Sequence, residues 1–123
     1  MKTKSLFEYI SKSKNMFFAF SSINPNIKLV EPTNKKYERI KIEKNFFSVQ
    51  KINSKRVIAI TNQKSFAHLL TCNWGEIRYL AIITDKKKGN GVCLASSYLD
   101  VSKILRKGDT LLIQSYNLRI EAQ

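Results

Sequence analysis

The sequence predicts an all-β protein, an antiparallel jelly-roll-like β-sandwich preceded by a short helix, and three observations carry that expectation. Short apolar or alternating runs recur between turn signals about 8 to 12 residues apart, the spacing of a sandwich or barrel. β-branched and aromatic residues concentrate in those runs, as strands require. The three runs between residues 37 and 61 follow one another with no ten-residue helical pattern between them, which favours antiparallel pairing over strand–helix–strand units. At 123 residues, 43% of them hydrophobic, the chain is long enough to bury a core, and one domain over residues 1–123 is expected.

The elements follow in order. "TKSLFEYISKSKN" opens on a cap candidate, Thr3 or Ser5, and sets Leu6, Phe7 and Ile10 at helical spacing, so residues 1–14 read as a short helical segment. Such a segment buries its apolar side better against a partner than alone, which makes Leu6, Phe7 and Ile10 candidate attachment residues. Residues Met16 to Phe20 of "MFFAFSS" are apolar at every position, as in a strand buried on both faces. "SINPN" turns the chain at Asn24-Pro25.

"YERIKI" alternates, so a strand is expected with Glu38, Ile40 and Ile42 on one side and Tyr37, Arg39 and Lys41 on the polar other; Tyr37 and Arg39 are candidate interface residues or, equally, a structural stack within the sandwich. "FFSVQKI" and "RVIAIT", parted by "NSK", read as a hairpin. "EIRYLAIIT" is the most strand-like run and belongs at the centre of a sheet. "DKKKGNG" is a solvated turn with Gly89 and Gly91 supplying positive φ. "VCLASSYL", "VSKIL", "TLLIQS" and "NLRIEA" complete eight or nine strands.

Charge and chemistry bound the function. Against 9 acidic residues stand 22 lysines and arginines, a net +13 that suits nucleic acid, an anionic membrane or an acidic protein. The lysines are scattered in short runs among many Asn and Ile, which A+T-rich coding also produces, and no arginine- and aromatic-laced face is visible. The aromatics near lysines, Phe17, Phe18, Phe20, Tyr37, Phe46 and Phe47, fit a core better than a base-stacking platform. Cys72 and Cys93 lack metal-ligand spacing and read as buried free thiols. His68 and Cys72, four apart, have no further metal ligands and no orienting acid, so a structural role is expected for both. In "DKKKGNG" the lysines precede the glycines and a strand follows, unlike a phosphate-binding loop, so a solvated turn is expected, with an anion-binding hairpin tip as the alternative. No catalytic, cofactor or metal residues are therefore nominated. No run of about 18 apolar residues suggests a membrane span, and the N-terminus lacks a long apolar signal core with a small-residue cleavage site. Trp74 and Gly75 stand at the entry to the strongest strand, where the ring can plug the sandwich and the glycine can turn the chain; Phe66, Trp74, Gly75 and Ile77 are the expected core markers.

The order of these features resembles the small structural proteins of tailed phages, the tail-fibre or tail-associated virion family. "FFAFSSINP" resembles its opening strand and turn, Tyr37, Glu38 and Arg39 its Tyr-x-Arg element, and Asn62 and Phe66 its Asn-to-Phe segment. Trp74, Gly75 and Ile77 match Trp-Gly-x-Ile, Asp85 ends the next strand, Gly108, Asp109 and Thr110 match Gly-Asp-Thr, and Leu118 and Ile120 lie in the last strand. The chain departs from the pattern at Gly89-Asn90-Gly91, where adjacent glycines are usual, around Ser115 to Asn117, and in the short lysine-rich stretch from Pro25 to Tyr37.

The resemblance implies a non-enzymatic virion component of the tail, neck or head surface, without a cofactor, made in the bacterial cytoplasm. Its partners would be other virion proteins and further copies of itself. The competing expectation is a small basic β-domain that binds nucleic acid non-specifically through phosphates.

Overall fold

The computed structural model describes residues 6, 8–10, 12, 14–43, 46–52, 55–60, 66–113 and 119–122, with 48–52, 55–60, 66, 100–103, 113 and 119–122 described as backbone. Nine strands occur among them: β1 (Phe17–Ser21), β2 (Ile40–Lys41), β3 (Phe47–Ile52), β4 (Lys55–Ile60), β5 (Phe66–Leu69), β6 (Gly75–Ile83), β7 (Cys93–Leu105), β8 (Thr110–Ile113) and β9 (Arg119–Ala122). They form a four-stranded sheet ordered β2-β1-β6-β7, a three-stranded sheet β3-β4-β9 and a two-stranded sheet β5-β8. Every pairing is antiparallel. The architecture is an all-β sandwich with a short helical segment described at residues 6 and 8–10.

The largest sheet shows why its strands read as continuous apolar runs. β1 is buried at all five positions because both faces are covered. Phe18 and Phe20 point into the main core with Leu80 and Ile82 of β6 and Ala95 of β7, and Phe46 and Phe47 at the start of β3 close over them. The ring centroids of Phe18 and Phe46 stand 5.4 Å apart, edge to face. Each such side chain, fully buried, contributes about 1.5–3 kcal/mol. On the other face Ala19, Ala81 and Ile83 form a second cluster covered by Leu29 and Cys93.

That cover is the crossover from Ser22 to Lys36, laid back over the sheet. Ser21, wholly buried, holds it: its Oγ accepts from the amides of Ile23 and Val30 at 3.3 and 3.0 Å and donates to the Ile23 carbonyl at 2.6 Å. The turn sits at Asn24-Pro25, where the Asn24 carbonyl takes the amides of Ile27 and Lys28.

Three expectations need correction. The run 37–42 is a strand only at Ile40–Lys41, and its alternation fails, since Tyr37, Arg39 and Ile42 are all buried. Tyr37 and Arg39 therefore do not lie on an exposed polar face; their heads find hydrogen-bond partners inside. "VCLASSYL" and "VSKIL" are one strand, β7, whose pairing with β6 slips between Ile77 and Tyr79, so that an irregularity near Arg78 sits where a break was expected. Leu6 is fully buried in this chain's own core, and the half-buried Tyr9 and Ile10 pack against that core, so Leu6 itself is covered without a partner. Phe7 lies outside the described residues.

Candidate functional site

The stretch around the single tryptophan builds a feature that resembles a site. β5 ends at Leu69, residues 70–74 turn, and β6 starts at Gly75, whose φ of +78° is open to glycine and strained for other residues. The amide of Trp74 donates to the Leu105 carbonyl, and Leu70 exchanges hydrogen bonds with the 106–109 turn: its amide to the Asp109 carbonyl, its carbonyl from the Gly108 amide. The indole, 7% exposed, is fixed by Phe20 at 4.9 Å, Tyr37 edge-on at 5.2 Å and His68 stacked at 5.9 Å between ring centroids. Ile77 is buried two residues further on. Phe66 is placed by its backbone in β5, opposite Ile113.

Outside this aromatic pile opens a cleft of about 360 Å³ lined by Lys36, Glu38, Arg39, Ile40, His68, Thr71 and Trp74. Behind it runs a buried polar network. Arg39 donates to Glu31 through Nη2 to Oε1 at 2.6 Å and through Nε to Oε2 at 3.0 Å, a two-pronged ion pair whose side chains are 0% and 3% exposed. Its Nη1 donates to the carbonyls of Asp85 and Asn90 at 2.9 and 2.8 Å, bracing the β6–β7 hairpin. Tyr37 donates to Glu31 Oε2 at 2.7 Å, and its hydroxyl accepts the Phe20 amide at 3.2 Å, continuing the ladder of β1 past the end of β2.

The electrostatics are those of a braced corner. Burial, joined by the hydrogen bond and charge of Glu31, holds the Tyr37 hydroxyl well above the ordinary tyrosine range, so it stays protonated and can donate. Burial lowers His68 below the usual histidine value, favouring the neutral ring on Trp74. Cys72 is buried in the core and Cys93 is partly buried, both free, and burial pushes the Cys93 thiol up. Among the described residues no group of three His, Cys, Asp or Glu could hold a metal, and no helix is long and apolar enough to cross a membrane.

The structure thus brings Tyr37, Arg39, Trp74 and His68 together, while Leu6 and Ile10 belong to or pack on the same core cluster as Tyr37 and Trp74 without lining the cleft. Sequence reasoning passed over Glu31. Its signal was available: one acid between Val30 and Pro32, in a stretch otherwise rich in lysine, asks for a buried cation.

Comparison with known proteins gives the corner its context. No curated protein and no solved structure matches the chain. A family model, described as podophage GP4 fiber I protein gp80, matches residues 9–121, most of the sequence. The chain belongs to this family of podophage fibre proteins and is a phage structural protein of the tail-fibre kind.

Proposed function

We propose that the protein is a non-enzymatic component of the virion, one sandwich unit over residues 1–123 that works by protein–protein assembly. Its partners are other virion proteins and further copies of itself, and it is made in the host cytoplasm before incorporation. The family match over residues 9–121 carries this reading. The geometry supports it: the arginine, glutamate and tyrosine behind the cleft hydrogen-bond to each other and to backbone, which suits a rigid brick. A reacting group needs an unengaged nucleophile or base near a substrate position.

The test is mass spectrometry of nuclease-treated, density-purified particles. The polypeptide should be present in stoichiometric amount with the other structural proteins. Its absence while those are detected overturns the reading, and salt-dependent binding to nucleic acid is then the next measurement.

A further inference from the structure

Two lysine runs far apart in sequence meet at one corner of the fold. Lys88 Nζ donates to the Pro32 carbonyl at 2.5 Å across 56 positions of chain. A few residues away, buried Arg39 grips Glu31 on the crossover and the Asp85 and Asn90 carbonyls on the hairpin at once. The "NKK" of residues 34–36 and the "KKK" of residues 86–88 are therefore fixed beside each other, and all five lysines are exposed.

Each run is also held in shape. Asn34 Oδ1 accepts the Lys36 amide at 2.9 Å, and Asp85 Oδ1 accepts the Lys87 amide at 2.8 Å. The acids of the two loops offset the lysines only in part, leaving the corner with a positive excess. Glu31 is buried and paired with Arg39, and Asp85 turns a carboxylate oxygen back to its own loop. Glu38, the next acid along, is exposed and lines the cleft with Lys36. Five like charges on an ordered backbone repel one another, and an anionic surface relieves that repulsion with little ordering cost.

We propose that this corner is a docking surface for a carboxylate-rich segment of a neighbouring virion protein. The inference rests on the virion reading above. Protein carboxylates fit better than nucleic acid because, among the described residues, the arginine and the aromatics at the corner, Arg39, Tyr37 and Trp74, are buried. Lys36 lines the cleft beside Trp74, and the five lysines are divided between two loops rather than set along one extended face that could track a phosphate backbone.

The test compares K35E/K86E/K87E with K41E/R106E/K107E, which reverses three exposed charges elsewhere and changes the net charge equally. K35Q/K86Q/K87Q serves if the reversed corner fails to fold. Affinities for an oligo-glutamate peptide and a short DNA duplex are measured at one low ionic strength, and incorporation is read from purified particles. The corner variant should keep the wild-type circular dichroism, lose about tenfold or more in peptide affinity and drop out of the particle, while the control keeps both. Equal losses in the two variants would reduce the effect to overall charge and overturn the proposal. So would normal incorporation of the corner variant, or tighter binding of the duplex through the same lysines. Absence of the wild-type chain from particles would instead defeat the virion reading, and the peptide and duplex affinities would still decide what the corner binds.

Discussion

Replacing Arg39 by methionine tests the buried network most directly, because the substitution keeps the stem and removes only the guanidinium. Both members of the ion pair are inaccessible, at 0% and 3% side-chain exposure, so solvent screening does little for either. Arg39→Met leaves the Glu31 carboxylate in the interior with the Tyr37 hydroxyl as its remaining donor. Removing one partner of such a pair costs about 3–5 kcal/mol. The carbonyls of Asp85 and Asn90 also lose their donor, but Asn90 is exposed and water can replace it, so this adds little. For a chain of this length about 3–5 kcal/mol corresponds to a fall in Tm of roughly 10–20 °C. Urea unfolding followed by fluorescence reads the loss well, since the single tryptophan lies 5.2 Å from Tyr37. The double variant Glu31→Gln/Arg39→Met, which leaves no uncompensated charge, should recover at least ~1 kcal/mol of the loss. A cost below about 1 kcal/mol for Arg39→Met, the value of a surface pair, would refute the argument. So would a double variant no more stable than the single.

Three further outcomes follow from the same geometry. The Tyr37 hydroxyl is raised in the folded chain, so its contribution is complete below the unfolded tyrosine value near ~10 and is lost as pH rises above it, with a slope of up to ~1.4 kcal/mol per pH unit. Stability curves of wild type and Tyr37→Phe above that pH should differ by this slope; parallel curves would show an ordinary tyrosine. His68 is lowered, so its contribution is present above the unfolded histidine value and is lost as pH falls toward the folded one. The single histidine resonance should titrate below ~6.5 by NMR, and a midpoint at or above that value would contradict the burial. Gly89 and Gly91 have φ of +89° and +90°, yet a Cβ at Gly91 would stand 2.8 Å from Asp85 Cβ and 2.9 Å from its amide nitrogen, while one at Gly89 meets nothing within 4 Å. Thermal melts should show Gly89→Ala losing about 1–2 kcal/mol and Gly91→Ala clearly more, and equal losses would mean the hairpin can open at no cost.

Much of the fold was legible because it rests on periodicity. The unbroken apolar run at Phe17–Phe20 and the run from Leu80 to Ile83 belong to strand segments covered on both faces, and they pair with each other in the middle of the largest sheet. The hairpin of residues 47–60 was equally plain, two β-prone runs around a short polar stretch. What failed was the alternation at Tyr37–Ile42. Alternation reports a strand only if polar residues face water, and here Tyr37 and Arg39 face a buried carboxylate six and eight positions earlier. Leu6 failed for the related reason that an amphipathic stripe shows that something must be covered without showing by what. The meeting of the two lysine loops had no local trace at all, since it depends on Arg39 reaching residues 46 and 51 positions away.

The cleft beside Trp74 contains the residue types of many active sites: a histidine, a glutamate, a lysine, a threonine and an arginine around an aromatic wall. Residue types alone do not make it one, and the destinations of the Arg39 nitrogens show what that residue does. Nε, Nη1 and Nη2 of Arg39 all reach acceptors inside the protein, and the carboxylate they meet is also held by Tyr37. A charge so fully engaged cannot follow charge that develops on a substrate, but it can lock three chain segments in register. The rigidity appears at the surface, where the same arginine sets the crossover and the hairpin side by side and so determines where their lysines stand. Burying one cation at the base of the corner thus gives the exposed cations a fixed pattern, and a fixed pattern is what the proposed docking of a neighbour's carboxylates requires.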